Sequence, residues 1–182
     1  MGATRQTVRA APSRRPRSRT PRRVRNLRRK TRACPRPTAA SRSSIATTEA
    51  PGTIIIDTSE RFLYLIQPNN TALRYGIGVG RDGFQWNGLL KVTRKAEWPD
   101  WTPPPEMIER QPYLPRFMAG GPGNPMGARA LYLGNTVYRI HGTNAPETIG
   151  HAVSSGCFRL VNEQIMDLYD RVHVGAKVIV QQ

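Results

Sequence analysis

The chain has 182 residues and a formal charge of +16, a length that allows one domain with an ordinary core. Fourteen Arg and one Lys, with no acidic residue, fall in positions 1–44, leaving thirteen basic against twelve acidic residues beyond them. The basicity therefore belongs to a tail, and the near-neutral remainder excludes a charged nucleic-acid-binding face there. No run of 18 apolar residues occurs to make a transmembrane helix.

Residues 1–44 combine Arg, Pro, Ser, Thr and Ala with almost no large apolar side chains. Such a segment buries too little surface to offset its ordering entropy, so a disordered basic tail is expected. No apolar h-region follows the basic N-terminus, and the acid-free, Arg- and Ser-rich composition also suits a transit peptide.

Order is expected from about Gly52. Thr53 to Asp57 and Arg61 to Ile66 are β-branched or apolar runs around a short turn, a hairpin pattern. Thr71 to Val79 reads as a third strand whose glycines suggest a bulge or close approach, and Leu89 to Lys95 as a fourth. From Glu97 to Gly127 the chain turns irregular, with Trp98, Trp101, three consecutive prolines, a helical turn at Glu106–Arg110 and a Gly-rich return. This exceeds the usual loop of about 4–6 residues, so it is read as either a covering excursion or a cap. Ala128–Leu133 and Thr136–Ile140 form a hairpin through Gly134-Asn135, expected as a type I′ turn. Cys157–Leu160 is a short strand, Asn162 an expected N-cap, and Ile165, Leu168, Tyr169 and Val172 one helical stripe. Gly175 closes that helix and Ala176–Val180 is the last strand. The fold class expected is mostly β, one domain over 50–182 with one amphipathic helix and a long cap loop.

His141 ends a strand, and Cys157 lies sixteen positions later behind Ser154-Ser155-Gly156. A lone cysteine is usually a small buried hydrophobe and a lone histidine a core residue. Together they suit thiol chemistry, in which the imidazole takes the proton and turn N–H groups face the attacked carbonyl. Cys34 lies in the tail, so no disulfide framework is implied. His141, His151 and Cys157 are spaced by ten and six, without the close pairs of a zinc site, and no metal is expected. Arg139 is read as part of a solvated face, and His151 and His173 as bystanders.

His141-Gly-Thr-Asn-x-Pro-x-Thr-Ile-Gly150, followed by Ser154-Ser-Gly-Cys-Phe-Arg-Leu-x-Asn162, resembles the active-site signature of the YkuD-type (ErfK/YbiS-like) L,D-transpeptidases. The similarity extends over about residues 52 to 182. The resemblance implies a β-sandwich or barrel of short strands, with Cys157 as nucleophile and His141 as base. The Gly142 carbonyl would orient His141, and the Gly156 backbone N–H would serve the oxyanion. Ser154 and Ser155 fall on motif positions, the second often histidine in the family. Arg159 would either bind a substrate carboxylate or support the loop, and Trp101 would border the groove. The implied substrate is a peptidoglycan stem tetrapeptide, cut between its diamino acid and D-Ala and passed to an amine of a second stem peptide or a lipoprotein lysine. A thiol hydrolase on the same scaffold is the alternative, and nucleic-acid binding by the Arg-rich tail a third reading. No cofactor is implied, a monomer is expected, and the substrate places the protein in the periplasm or cell envelope.

Overall fold

The computed structural model describes residues 40–182. In chain order its strands are β1 (Ser41–Ser44), β2 (Ile54–Asp57), β3 (Phe62–Gln67), β4 (Thr71–Gly76), β5 (Val79–Gly80) and β6 (Gly88–Glu97). They continue with β7 (Arg129–Leu133), β8 (Arg139–His141), β9 (Ala152–Ser154), β10 (Phe158–Arg159) and β11 (Lys177–Gln181). The helices are α1 (Pro105–Arg110) and α2 (Asn162–Arg171), with a 3-10 turn at Pro146–Thr148.

Three consecutive isoleucines, all buried, make β2 an interior strand covered on both faces. It pairs antiparallel with β3 and parallel with β11. The β3–β4 turn runs through Asn69 and Asn70, both left-handed, a conformation asparagine tolerates better than most residues. β4 would be a bare edge, but β1 pairs along it, Ser41 opposite Arg74 and Ser44 opposite Thr71. This corrects the expected tail boundary: residues 41–44 are strand, because the β4 edge offers backbone groups that an extended polar segment can satisfy. The rest of the expected tail, 1–39, lies outside the described residues.

β6 joins the two halves of the sheet. Its first residues pair with β11 and its last with β7, and the register shifts between Val92 and Arg94. A bulge of this kind bends a strand and increases its twist, so the nine-stranded sheet, ordered β1-β4-β3-β2-β11-β6-β7-β8-β10, curls on itself. A separate parallel pair, β5 with β9, lies beside it; β9 is too short and too polar to have been read as a strand. The β7–β8 connection departs from the expected type I′ turn, which needs two left-handed residues. Gly134 has φ 54° but Asn135 is not left-handed; the turn bond from Thr136 N–H to the Leu133 carbonyl is kept and doubled by the Thr136 hydroxyl, and the next strand starts only at Arg139.

The inner face of α2 presents Ile165 and Leu168, and the residue after the helix is Val172. They join Leu63, Leu65, Tyr75, Leu131, Leu133 and Phe158 in one core. Lys95 of β6 donates to the carbonyls of Tyr169 and Val172, satisfying groups that a helix C-terminus leaves open. No helix among the described residues is long and apolar enough to cross a membrane. The excursion between β6 and β7 closes on itself where Trp101 and Met118 exchange two backbone hydrogen bonds of 2.8 Å, with α1 in between.

Leu168 is wholly buried whereas Asp170 is exposed. Leu168→Ala should therefore cost about 2–5 kcal/mol of stability, and Asp170→Ala within about 0.5 kcal/mol of nothing, both read from urea midpoints at constant slope.

Candidate active site

β8 and β10 run parallel, Phe158 opposite Ile140 and Arg159 opposite His141. Phe158 and Ile140 are buried in the core. Side chains alternate along a strand, so His141 and Arg159 lie on the other face. Arg139 and Cys157, two residues back on each chain, continue that face. Strands roughly 4.8 Å apart and a two-residue step of roughly 6.6 Å set the Cα atoms of His141 and Cys157 on the order of 8 Å apart. Residues sixteen positions apart in sequence thus become diagonal neighbours.

His141 is 6% exposed. Its Nδ1 lies 2.7 Å from the Gly142 carbonyl, which can only accept, so Nδ1 carries the proton and Nε2 is left as the basic nitrogen. Burial pushes the imidazole pKa down to about 4, the Gly142 carbonyl opposes this, and the charges of Arg159 and Arg139 push the same way as burial. The Met126 carbonyl also faces the ring. The ring is neutral at neutral pH.

Cys157 follows a turn whose geometry depends on Ser154. The Ser154 hydroxyl donates to the Cys157 carbonyl at 2.6 Å and accepts the Gly156 N–H at 3.2 Å. The expected oxyanion donor, Gly156 N–H, is therefore engaged in this structure, and the Cys157 N–H has no partner among the described residues. Gly156 is left-handed at φ 104°, and a Cβ there would stand 2.6 Å from the Tyr138 ring. Trp86 stacks on Tyr138 at 4.4 Å and donates its indole N–H to the Gly156 carbonyl. The thiol sits 3.7 Å from the Val137 carbonyl. Enclosure raises its pKa, while the Arg139 backbone N–H and guanidinium and the Arg159 charge work the other way.

Arg159 reaches along the sheet to Thr148, donating to its hydroxyl at 2.9 Å and to its carbonyl at 3.4 Å. It thereby ties the 3-10 turn to β10, and it packs so close to Gly78 that a Cβ there would meet Nη2 at 2.8 Å. Ser155 is half-buried in the turn, Trp101 is held in the excursion by Met118, and His151 and His173 are exposed. Arg139 corrects its reading as a solvated face. Its Nε is buried and its guanidinium lies over the Tyr132 ring and beside the thiol. Strand alternation from His141 carried that signal, since residues two apart share a face. Tyr138, Trp86 and Asn162 were also missed; Asn162 does not cap α2, whose N-cap is Val161, because its side chain is engaged elsewhere.

Residues 51–180 match the family model of the YkuD L,D-transpeptidase catalytic domain. The chain is 44% identical over 132 residues to "Probable L,D-transpeptidase ErfK/SrfK" of Escherichia coli K12, covering 69% of this chain and 42% of that protein. It thus spans less than half the length of that curated relative. Among solved structures, an L,D-transpeptidase from Mycobacterium smegmatis shares the fold at TM-score 0.59 and 18% identity, covering 73% of this chain and 59% of that one. A Brucella melitensis protein named "Probable carnitine operon oxidoreductase caia" is 49% identical at TM-score 0.52, covering 78% of this chain and 92% of that one. A dinucleotide fingerprint would have to open a helix. The G-x-G-x-x-G at Gly78–Gly83 here runs through β5 into a turn before β6, and Gly78 and Gly80 are small where Arg159 and the Phe84 backbone press on them.

The neutral His141 makes stability pH-dependent in a defined direction. Its folded pKa of about 4 lies below the ordinary 6.5, so its contribution is whole above pH 6.5 and is lost as pH falls toward 4, by at most about 3 kcal/mol. Urea midpoints at neutral and acid pH should show this loss in the wild type and a smaller one in His141→Gln.

Proposed function

Since this chain belongs to the YkuD L,D-transpeptidase catalytic domain family, we propose that residues 50–182 form a cysteine-dependent L,D-transpeptidase of peptidoglycan stem peptides. Cys157 is the nucleophile and His141 the general base. The observation that carries the reading is the β8–β10 register, which supports both side chains acting from one face. The donor is a stem tetrapeptide, and its diamino acid–D-Ala bond is the one cut.

The resting pair is a neutral imidazole and a protonated thiol, so the proton moves as the bond forms. Sγ attacks the donor carbonyl while His141 Nε2 takes the thiol proton. The tetrahedral oxyanion meets the Cys157 N–H, and the Gly156 N–H joins if Ser154 releases it; one such donor is typically worth about 10²–10³ in rate. The guanidinium groups of Arg139 and Arg159 favour the negative sulfur. Collapse breaks the C–N bond, and D-Ala leaves with the proton from the imidazolium. The amine of a second stem peptide or of a lipoprotein lysine then attacks the thioester and gives its proton to His141; the C–S bond breaks and the imidazolium returns that proton to the Cys157 sulfur, restoring the neutral pair. Peptidoglycan lies outside the cytoplasmic membrane, so the working compartment is the cell envelope.

A strained carbapenem carbonyl mimics the donor amide and tests the assignment. Intact mass should show one lactam adduct, mapped to Cys157, absent from Cys157→Ala and formed about 10²–10⁴-fold more slowly by His141→Ala. An adduct on Cys34, or one persisting in Cys157→Ala, would overturn it. With purified stem peptides, a cross-linked product is expected on adding an amine acceptor; release of free tripeptide alone would make water the acceptor.

The neutral resting pair has its own signature. Alkylation of Cys157 by iodoacetamide should be slow near neutrality and climb through the ordinary thiol pKa of 9.0 and beyond. A rate already at plateau near neutrality would mean a preformed thiolate–imidazolium pair.

A further inference from the structure

Asn162 opens α2 yet spends its side chain outside the helix. Its Oδ1 accepts the Ala128 N–H at 3.0 Å and the Thr143 N–H at 3.2 Å. Two separate segments, the end of the excursion and the loop after His141, close on this one oxygen. The packing leaves no room beside this oxygen: a Cβ at Gly142 would meet Oδ1 first, and one at left-handed Gly127 would meet both Oδ1 and the Thr143 nitrogen.

The Thr143 N–H and the Gly142 carbonyl are the two ends of one planar, trans peptide group, and they point in opposite directions. With the N–H held by Asn162, the carbonyl is turned the other way, to His141 Nδ1 at 2.7 Å. The backbone bond from Gly142 N–H to the Arg129 carbonyl fixes the preceding peptide. The carbonyl therefore has little freedom to swing off the ring.

We infer that Asn162 is a positioning residue for the general base: by fixing the Gly142–Thr143 peptide plane it holds His141 in the Nδ1–H tautomer, leaving Nε2 as the basic nitrogen. A ring protonated on Nε2 could not take the Cys157 proton there. The inference rests on the reading of His141 as base, and its test separates the two.

The full chain, labelled with 15N-histidine, would be compared as wild type, Asn162→Ala and Asn162→Asp above the ordinary imidazole pKa, with exposed His151 and His173 as internal references. The Asp carboxylate can accept the same two N–H bonds, so His141 should keep the Nδ1–H shifts and the wild-type carbapenem acylation rate. In Asn162→Ala the shifts should move toward Nε2–H, and acylation should slow on the order of 10²-fold, the cost of a misplaced catalytic group. If Asn162→Ala fails to fold, Asn162→Ser takes its place, its oxygen being too short to bridge both amides. An unchanged tautomer in the folded Ala or Ser protein, or an Asp protein that behaves like them, would overturn the inference. A changed tautomer with unchanged acylation would leave Asn162 in its role and remove His141 as base.

Discussion

The site depends on one short parallel pairing. β10 is two residues long and β8 three, yet their register decides which side chains share a face. Phe158 and Ile140 anchor it by being buried, and a slip of one residue would drive them out of the core and turn Cys157 inward. Core packing and the shared face of His141 and Cys157 are thus enforced by the same constraint. On the other flank β10 is held by Gly78, the residue before β5, which exchanges two backbone bonds of 2.8 and 2.9 Å with Arg159.

Burial sets the electrostatics of that face. Excluding water favours neutral forms of both the imidazole and the thiol, so the site holds its reactants discharged. Arg139 and Arg159 bias the sulfur toward thiolate but disfavour a charged His141. The arrangement suits a charge that exists only during bond making.

Much of this was legible in the chain. The β-branched runs of β2 and β11 and the stripe of α2 are local signals with one dominant period, and the His141 and Cys157 motif carried the family. What was not legible depended on long-range contacts. Ser41–Ser44 has no strand signal of its own and becomes one only because β4 lies open beside it. Arg139 looks like surface until its strand acquires neighbours, and Asn162 has the composition of a helix cap but faces two loops that no local window contains. The Gly134-Asn135 pair failed as a turn rule because only Gly134 takes the left-handed conformation that a type I′ turn asks of both residues.

β11 occupies the middle of the sheet, between β2 and β6, although it is the last strand in sequence among the described residues. Its pairing with β2 joins Val178 to Ile54, a loop closure of well over a hundred residues that must be made before the two halves become one sheet. Chains dominated by such contacts fold slowly and expose unpaired edges meanwhile. On the ribosome, the early strands would wait with β2 open on one side until nearly the whole domain had emerged. One edge of β2 therefore goes without its partner through most of the domain's synthesis.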